Sequence, residues 1–270
     1  MEPLIAWLGG EEAILRTVAV GALVAARVAP LTLVAPWLAL RSAPVVLRTA
    51  ITLALTVSLT PLAIESAAPL PAGALGLAAL AVREALIGTV FAVASGLPLF
   101  ALDWAGRLVD TWRGASLAEV IAPPTGERTS PLGDLHLLLG IALFVVLGGH
   151  RLAIAAFAEG LATVPVGGGD LGRGLGEVAL GAARLTGSAL AFAAALAAPA
   201  AAAIVLVEAS LGLVARSAPQ IPVFFAGMPL RAAVGLGAAL LALSLVVDEL
   251  PGAFRHAIDS AASLVSSLGG

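Results

Sequence analysis

The stretch RSAPQIPVFFAGMPLR, Arg216 to Arg231, separates two long apolar runs and decides how the rest of the chain is read. Between its flanking arginines lie Pro219, Gln220, Pro222, Phe224, Phe225, Gly227 and Pro229. Proline fixes φ and removes a backbone donor, so this is a preset connector and not a continuation of either run. The runs beside it, Val178–Val207 and Ala232–Val247, are almost wholly apolar. A helix needs about 20 residues, rising 1.5 Å each, to cross the hydrocarbon core of a bilayer. Two membrane helices joined by a rigid turn over Pro219–Pro229 is the expectation.

Further apolar windows fall at Ala13–Ala35, Val45–Ile64, Ala74–Leu102, Leu132–Leu147 and Leu152–Val164. The last two flank GGHR, are short and closely joined, and read as a helical hairpin. The chain has 270 residues, 60% of them hydrophobic and only 11% charged, with a mean hydropathy of +1.06. A soluble domain carries about 25% charged residues. The expected fold is an all-α integral membrane protein of six to seven apolar helices, including the short central hairpin, plus a C-terminal amphipathic helix. Residues 1–250 are expected to form the multi-helix membrane domain and 251–270 the tail. In the tail, Phe254, Ile258, Ala261, Val265 and Leu268 recur at helical spacing, which suits a membrane surface or a partner.

Composition excludes several functions. The chain has no cysteine, so disulfides and thiolate chemistry are absent. All fourteen basic residues are arginine, which rules out a Walker lysine, a Schiff base and a Ser-Lys dyad. With a net charge of -3 and no basic cluster, it is not a nucleic-acid binder. The acidic N-terminus lacks the basic n-region of a cleavable signal. Arg41 and Arg48, then Arg107, Arg113 and Arg128, sit in connectors that the positive-inside rule places inside, with the N-terminus outside. If the hairpin crosses twice, Arg216 and Arg231 fall on the outer side and break that rule.

Motifs for catalysis are weak. GGGDLG, Gly167–Gly172, matches the dinucleotide fingerprint in letters but follows a membrane helix instead of a buried strand. The same Gly-x-Gly-Asp pattern resembles intramembrane aspartyl proteases, whose chemistry needs a second facing aspartate. Asp170 lies in a polar loop, and Asp103 and Asp110 sit at a helix end. His136, His150 and His256 are too scattered to hold a metal on one helix face. No cofactor, metal or catalytic residue is expected, and the chain is not read as an enzyme.

Ionisable residues within or near apolar runs carry more information: Arg27, Arg83, Glu84, Arg184 and Glu208. A charge at the bilayer centre costs about 2.5–3.5 kcal/mol on insertion scales and therefore faces protein or water. Arg83 and Glu84, adjacent and about 100° apart on a helix, are expected to need other partners than each other. A secondary transporter would use Arg27 and Glu84 as a midplane site; an assembly subunit would use such residues at contacts between chains. Small residues such as Gly88, Ser95 and Gly96 permit close helix packing in either case.

The segment GLVARSAPQIPVFFAGMPLRAAVGL, Gly212–Leu236, resembles the signature of the type III export-gate T subunit, the FliR/SctT family. Pro219-Gln220, Val223-Phe224, Gly227, Pro229 and Arg231 carry the likeness. The family usually has lysine or a neutral residue at the last position, and often asparagine where Pro222 stands. Arg27, Pro36, Pro44 and Pro61 match its first helix pair, and Glu84 and Gly88 its third helix. WAGRLVDTWRGASLAEVIAPPTGERTSPLGDL, Trp104–Leu135, is similar to its central loop, through Gly106, Asp110, Arg113-Gly114 and Thr125-Gly126. Ala122-Pro123 stands where the family usually has Asp-Pro, so a role resting on that carboxylate is lost.

The resemblance implies a subunit of a protein export gate in the bacterial inner membrane, of the injectisome or the flagellum. It would assemble with the R and S subunits and the U subunit, in contact with lipid and with unfolded secreted proteins in transit. It implies a pore plug built around Asp110, Arg113, Gly114, Pro123, Pro124, Gly126, Ser130 and Pro131. Subunit contacts would involve Arg27, Glu84, Gly88, Pro219, Gln220, Phe224, Gly227, Pro229 and Arg231.

Overall fold

The computed structural model describes residues 11–39, 44–71, 73–114, 130–168, 171–220 and 222–269. Among these every regular element is helical: α1 Glu11–Val34, α2 Val45–Ser66, α3 Ala74–Trp112, α4 Pro131–Val146, α5 Gly149–Thr163, α6 Leu171–Ser217 and α7 Val223–Ser266. Five of them are long and apolar enough to cross a membrane, and α4 with α5 passes as one further span. The chain is an all-α, multi-pass membrane protein.

Helices α2, α3, α6 and α7 end beyond their apolar windows, because polar residues carry them onward. Past Leu102, α3 continues for ten residues to Trp112. There Arg107 Nε lies 2.9 Å from Asp103 Oδ1 and Arg113 Nε 2.7 Å from Asp110 Oδ1, pairs at helical spacing that keep the extra turns charge-matched. α6 runs 47 residues, about 70 Å of helix at 1.5 Å per residue, more than twice the hydrocarbon thickness. Prolines lie inside the long helices, at Pro30, Pro61, Pro98, Pro199, Pro229 and Pro251. Membrane helices tolerate this because neighbouring groups take up the freed carbonyls.

Pro229 corrects the expected turn. α6 ends at Ser217 and α7 begins at Val223, so the connector is short and Pro229 belongs to the helix. Helix α7 then runs through 250 and 251 to Ser266, and the expected tail is its last part.

Two compact units make up the chain. Unit 1 comprises Met1–Leu97, Gly148–Leu185 and Phe254–Gly270; unit 2 comprises Pro98–Leu147 and Thr186–Ala253. In unit 1, Val20, Val24, Val28 and Leu31 of α1 are buried with Ile87 and Phe91 of α3 and Leu161 of α5. Phe91 meets Phe157 edge-to-face at 5.3 Å. Phe254, Ile258, Ala261, Val265 and Leu268 are buried as one face of α7. That face approaches α6 so closely that a Cβ on Gly174 would lie 2.2 Å from the Ser267 carbonyl oxygen. In unit 2, Leu99 and Leu102 of α3 pack against Gly140 of α4, where a Cβ would come within 2.4 Å of Leu102 Cδ1. Water-driven burial does not operate between helices in lipid, so close fit of small residues supplies the packing.

Candidate functional site

Three charged side chains meet inside unit 1. Arg27 Nε donates to Glu84 Oε2 at 2.5 Å, and its Nη1 donates to the Val164 carbonyl at 2.9 Å and to that of Gly160 at 3.4 Å. Arg83 Nη1 donates to Glu84 Oε1 at 2.8 Å, and its Nη2 donates to the Gly168 carbonyl. The Gly167 amide also donates to Glu84 Oε1, at 3.3 Å. Two cations thus share one carboxylate, and the surplus positive charge faces carbonyls at and beyond the C-terminus of α5. A helix C-terminus carries partial negative charge, so this placement is favourable.

This corrects the expectation that Arg83 and Glu84 lie out of each other's reach. The two Cα–Cβ bonds diverge, but the long arginine stem carries its guanidinium back to the neighbour. It also places Arg27, Glu84 and Gly88 in the chain's own interior, with their partners within this chain. Arg27 is 1% exposed and Glu84 0%. At Gly88 a Cβ would sit 2.0 Å from the Arg27 carbonyl oxygen, so α1 and α3 touch backbone to backbone there. A midplane transport site would have to open; this cluster is closed and its carboxylate oxygens are occupied by donors of the chain.

The segment between α5 and α6 was missed from sequence, and it does much of the holding. Val164 and Gly168 carbonyls and the Gly167 amide bind the cluster, while the Val166 carbonyl accepts from the Ala68 amide at 3.0 Å. Main-chain partners have no side-chain signature. The one legible hint was the glycine run, since Gly167 holds φ at +78°.

In unit 2 a second network joins the two flanks of the central loop. Asp110 Oδ1 accepts from Arg113 Nε at 2.7 Å, and Oδ2 accepts from Ser130 Oγ at 2.6 Å and the Leu132 amide at 3.0 Å. Ser130 Oγ in turn accepts from the Gly133 amide at 3.1 Å, capping α4, with Pro131 in its first turn. A Cβ on Gly106 would lie 2.4 Å from the Gly133 nitrogen, so α3 and α4 meet without side chains between them. Gly114 takes φ +81° just after α3. Asp110, Arg113, Gly114, Ser130 and Pro131 are therefore gathered at the base of the loop. Pro123, Pro124 and Gly126 lie outside the described residues.

The connector residues divide. Pro219 and Gln220 form an exposed turn, and Phe224 and Phe225 open α7 with 55% and 71% of their surface free, ring against ring at 5.5 Å. Gly227 is buried against Leu211, and Pro229 is exposed. The Arg231 guanidinium faces both carboxylate oxygens of Glu208, with Nε 2.7 Å from Oε1 and Nη2 donating to Oε2 at 3.3 Å. That pairing gives Glu208 of α6 its partner in the same chain.

Comparison with known proteins identifies the family. Residues 18–257 match the model of the bacterial export proteins, family 1. The chain belongs to that family. It is 26% identical over 190 residues to the flagellar biosynthetic protein FliR of Bacillus subtilis, covering 70% of this chain and 73% of the relative. Against FliR of Caulobacter vibrioides it is 25% identical over 240 residues, 89% of this chain and 94% of the relative. It is 30% identical over 173 residues to the secretion system apparatus protein SsaT of Salmonella typhimurium, 64% of this chain and 63% of that protein. Export proteins of both flagellar and secretion-system kinds are thus similar to it, and the family resemblance read from Gly212–Leu236 holds.

Proposed function

We propose that this chain is a membrane subunit of a type III protein export apparatus, forming part of the channel entrance through which unfolded proteins are secreted. The observation that carries the reading is the family match over residues 18–257. The geometry supports it. Helix α2 buries 11% of its most apolar window, α6 22% and the first part of α7 18%, leaving long apolar faces for lipid and for other subunits. The exposed Phe224–Phe225 pair beside a proline-preset turn suits docking, because such a backbone loses little freedom on binding. The partners are the R, S and U subunits in the bacterial inner membrane, and the role is a conduit's, without catalysis.

Under the same reading, the central loop from Trp112 to Pro131 closes the resting pore, and the Asp110–Ser130 hydrogen bond joins its two flanks. Co-expression with the R and S subunits is the test. The chain should elute in one complex with them and be polydisperse or degraded alone. A long-lived, monodisperse monomer that leaves the partners behind would overturn the proposal.

A further inference from the structure

A groove of about 760 Å³ runs between α6 and the last part of α7, and every residue lining it is described and belongs to unit 1. Its floor is close-packed, since a Cβ on Gly181 would lie 2.4 Å from Leu264 Cδ2. Its walls are polar. Arg184 of α6 lines one side; His256, Asp259, Ser260 and Ser263, at helical spacing along α7, line the other. None of these five side chains makes a hydrogen bond or an ion pair with another described residue. The serines show that this is not the habit of the helix. Ser266 and Ser267 return their hydroxyls to the Ser263 and Leu264 carbonyls, each at 2.8 Å, whereas those of Ser260 and Ser263 stay free. Arg255, one turn before Asp259 and exposed, lies outside the groove.

Helix α6 carries no charged residue from Leu185 to Val207, 23 residues or about 35 Å of helix, enough to cross one hydrocarbon core. Arg184 therefore stands where that run meets the headgroup layer, and on α7 charged residues resume at Asp248, before the groove. One cation, one carboxylate, an imidazole and two free hydroxyls suit neither a simple anion, which Asp259 repels, nor a simple cation, which Arg184 repels. We propose that this groove binds the headgroup of a phosphatidylethanolamine. Arg184 and the serine hydroxyls take the phosphate, Asp259 takes the ammonium, and the acyl chains follow the uncharged length of α6. A zwitterion answers both charges at once and supplies acceptors and donors from one small group. A partner helix seated here would have to bring a separate side chain to each of the five. The inference needs only the α6–α7 pair and stands apart from the export reading.

The test uses the full chain in nanodiscs of equal phosphatidylethanolamine, phosphatidylcholine and phosphatidylglycerol with identical acyl chains, followed by native mass spectrometry of the retained lipid. Retention should favour phosphatidylethanolamine over each of the others by about threefold, the scale of one exposed ion pair. Choline has no N–H to donate to Asp259, and glycerol has no positive charge for it. Asp259→Asn should erase the preference for phosphatidylethanolamine over phosphatidylglycerol. Arg184→Gln should lower retention of all three, and Arg184→Lys should keep most of it. Arg255→Gln, outside the groove, should change nothing. The Arg184 and Asp259 side chains bond nothing within the described residues, so their variants should elute and melt like the parent. Because the chain has no cysteine, Ser263→Cys accepts a single photo-crosslinker. In membranes holding the complete apparatus it should capture lipid. Equal retention of the three lipids, a preference unchanged in Asp259→Asn, or capture of a polypeptide at position 263 would each overturn the proposal.

Discussion

Arg27 and Glu84, 57 residues apart, meet at 2.5 Å where neither side chain reaches the surface. Removing one partner of a buried pair leaves an uncompensated charge and costs about 3–5 kcal/mol. Glu84→Gln should fall at the severe end, since it leaves Arg27 and Arg83 facing each other without an anion. Arg27→Lys should also destabilise, because an ammonium cannot serve the carboxylate and the α5 carbonyls in the same planar fork. Thermal unfolding followed by size-exclusion in detergent measures both. Glu84→Gln melting like the parent would mean the pair does not hold α1 to α3.

Gly88 and Gly176 offer opposite outcomes for one substitution. Gly88→Ala places a methyl group on the Arg27 carbonyl oxygen and should sharply reduce folded yield. Gly176→Ala, where nothing lies within 4 Å, should be neutral or gain about 0.5–1 kcal/mol from helix propensity. The two variants compared for yield and melting midpoint decide whether close backbone approach is the constraint.

Asp110 and Ser130 divide the capping of α4 between them, and amide exchange can separate their parts. Asp110→Ala should speed exchange at Leu132, whose amide it accepts, and Ser130→Ala should speed exchange at Gly133. Loss of an N-cap costs about 1 kcal/mol, so exchange there should rise severalfold without global unfolding. Unaltered exchange at both amides would remove the network as the anchor of the loop.

Phe224 is expected to matter for assembly and not for insertion. Phe224→Asp should abolish recovery of the complex while the chain still reaches the membrane. Equal recovery with the R and S subunits would show that this surface is no contact.

Shortening residues 121–129 to a few glycines should leave the helices folded and raise ion leakage in cells making the whole gate. The comparison is with the parent gate at equal assembly levels. A shortened gate that exports protein and leaks no more than the parent would exclude this segment as the closure.

The helices were legible because apolar runs of spanning length admit few other readings, and the glycines and prolines between them mark the breaks. The Gly212–Leu236 signature likewise gave the family. Ion-pair partners were not legible. Arg83 and Glu84 looked divergent because helical angles describe where side chains leave the backbone, not where a flexible guanidinium arrives. The acceptors at Gly160, Val164 and Gly168 are main-chain atoms, identical at every position of any sequence. Pro229 read as the end of a turn because proline's preset backbone suits a helix start, a kink and a loop alike; only the beginning of α7 at Val223 distinguishes them.

The interleaving of the two units sets an order of events during synthesis. Unit 1 draws on three separate stretches of chain, and its last, Phe254–Gly270, leaves the ribosome after every residue of unit 2. The buried face of Phe254, Ile258 and Val265 is therefore the final piece to reach a site whose other walls have waited since α1, α5 and the start of α6 were made. Unit 2 has all its parts first. A chain released after residue 253 would hold every residue of unit 2 and lack one wall of unit 1, so truncation there should loosen the core of unit 1 and spare that of unit 2.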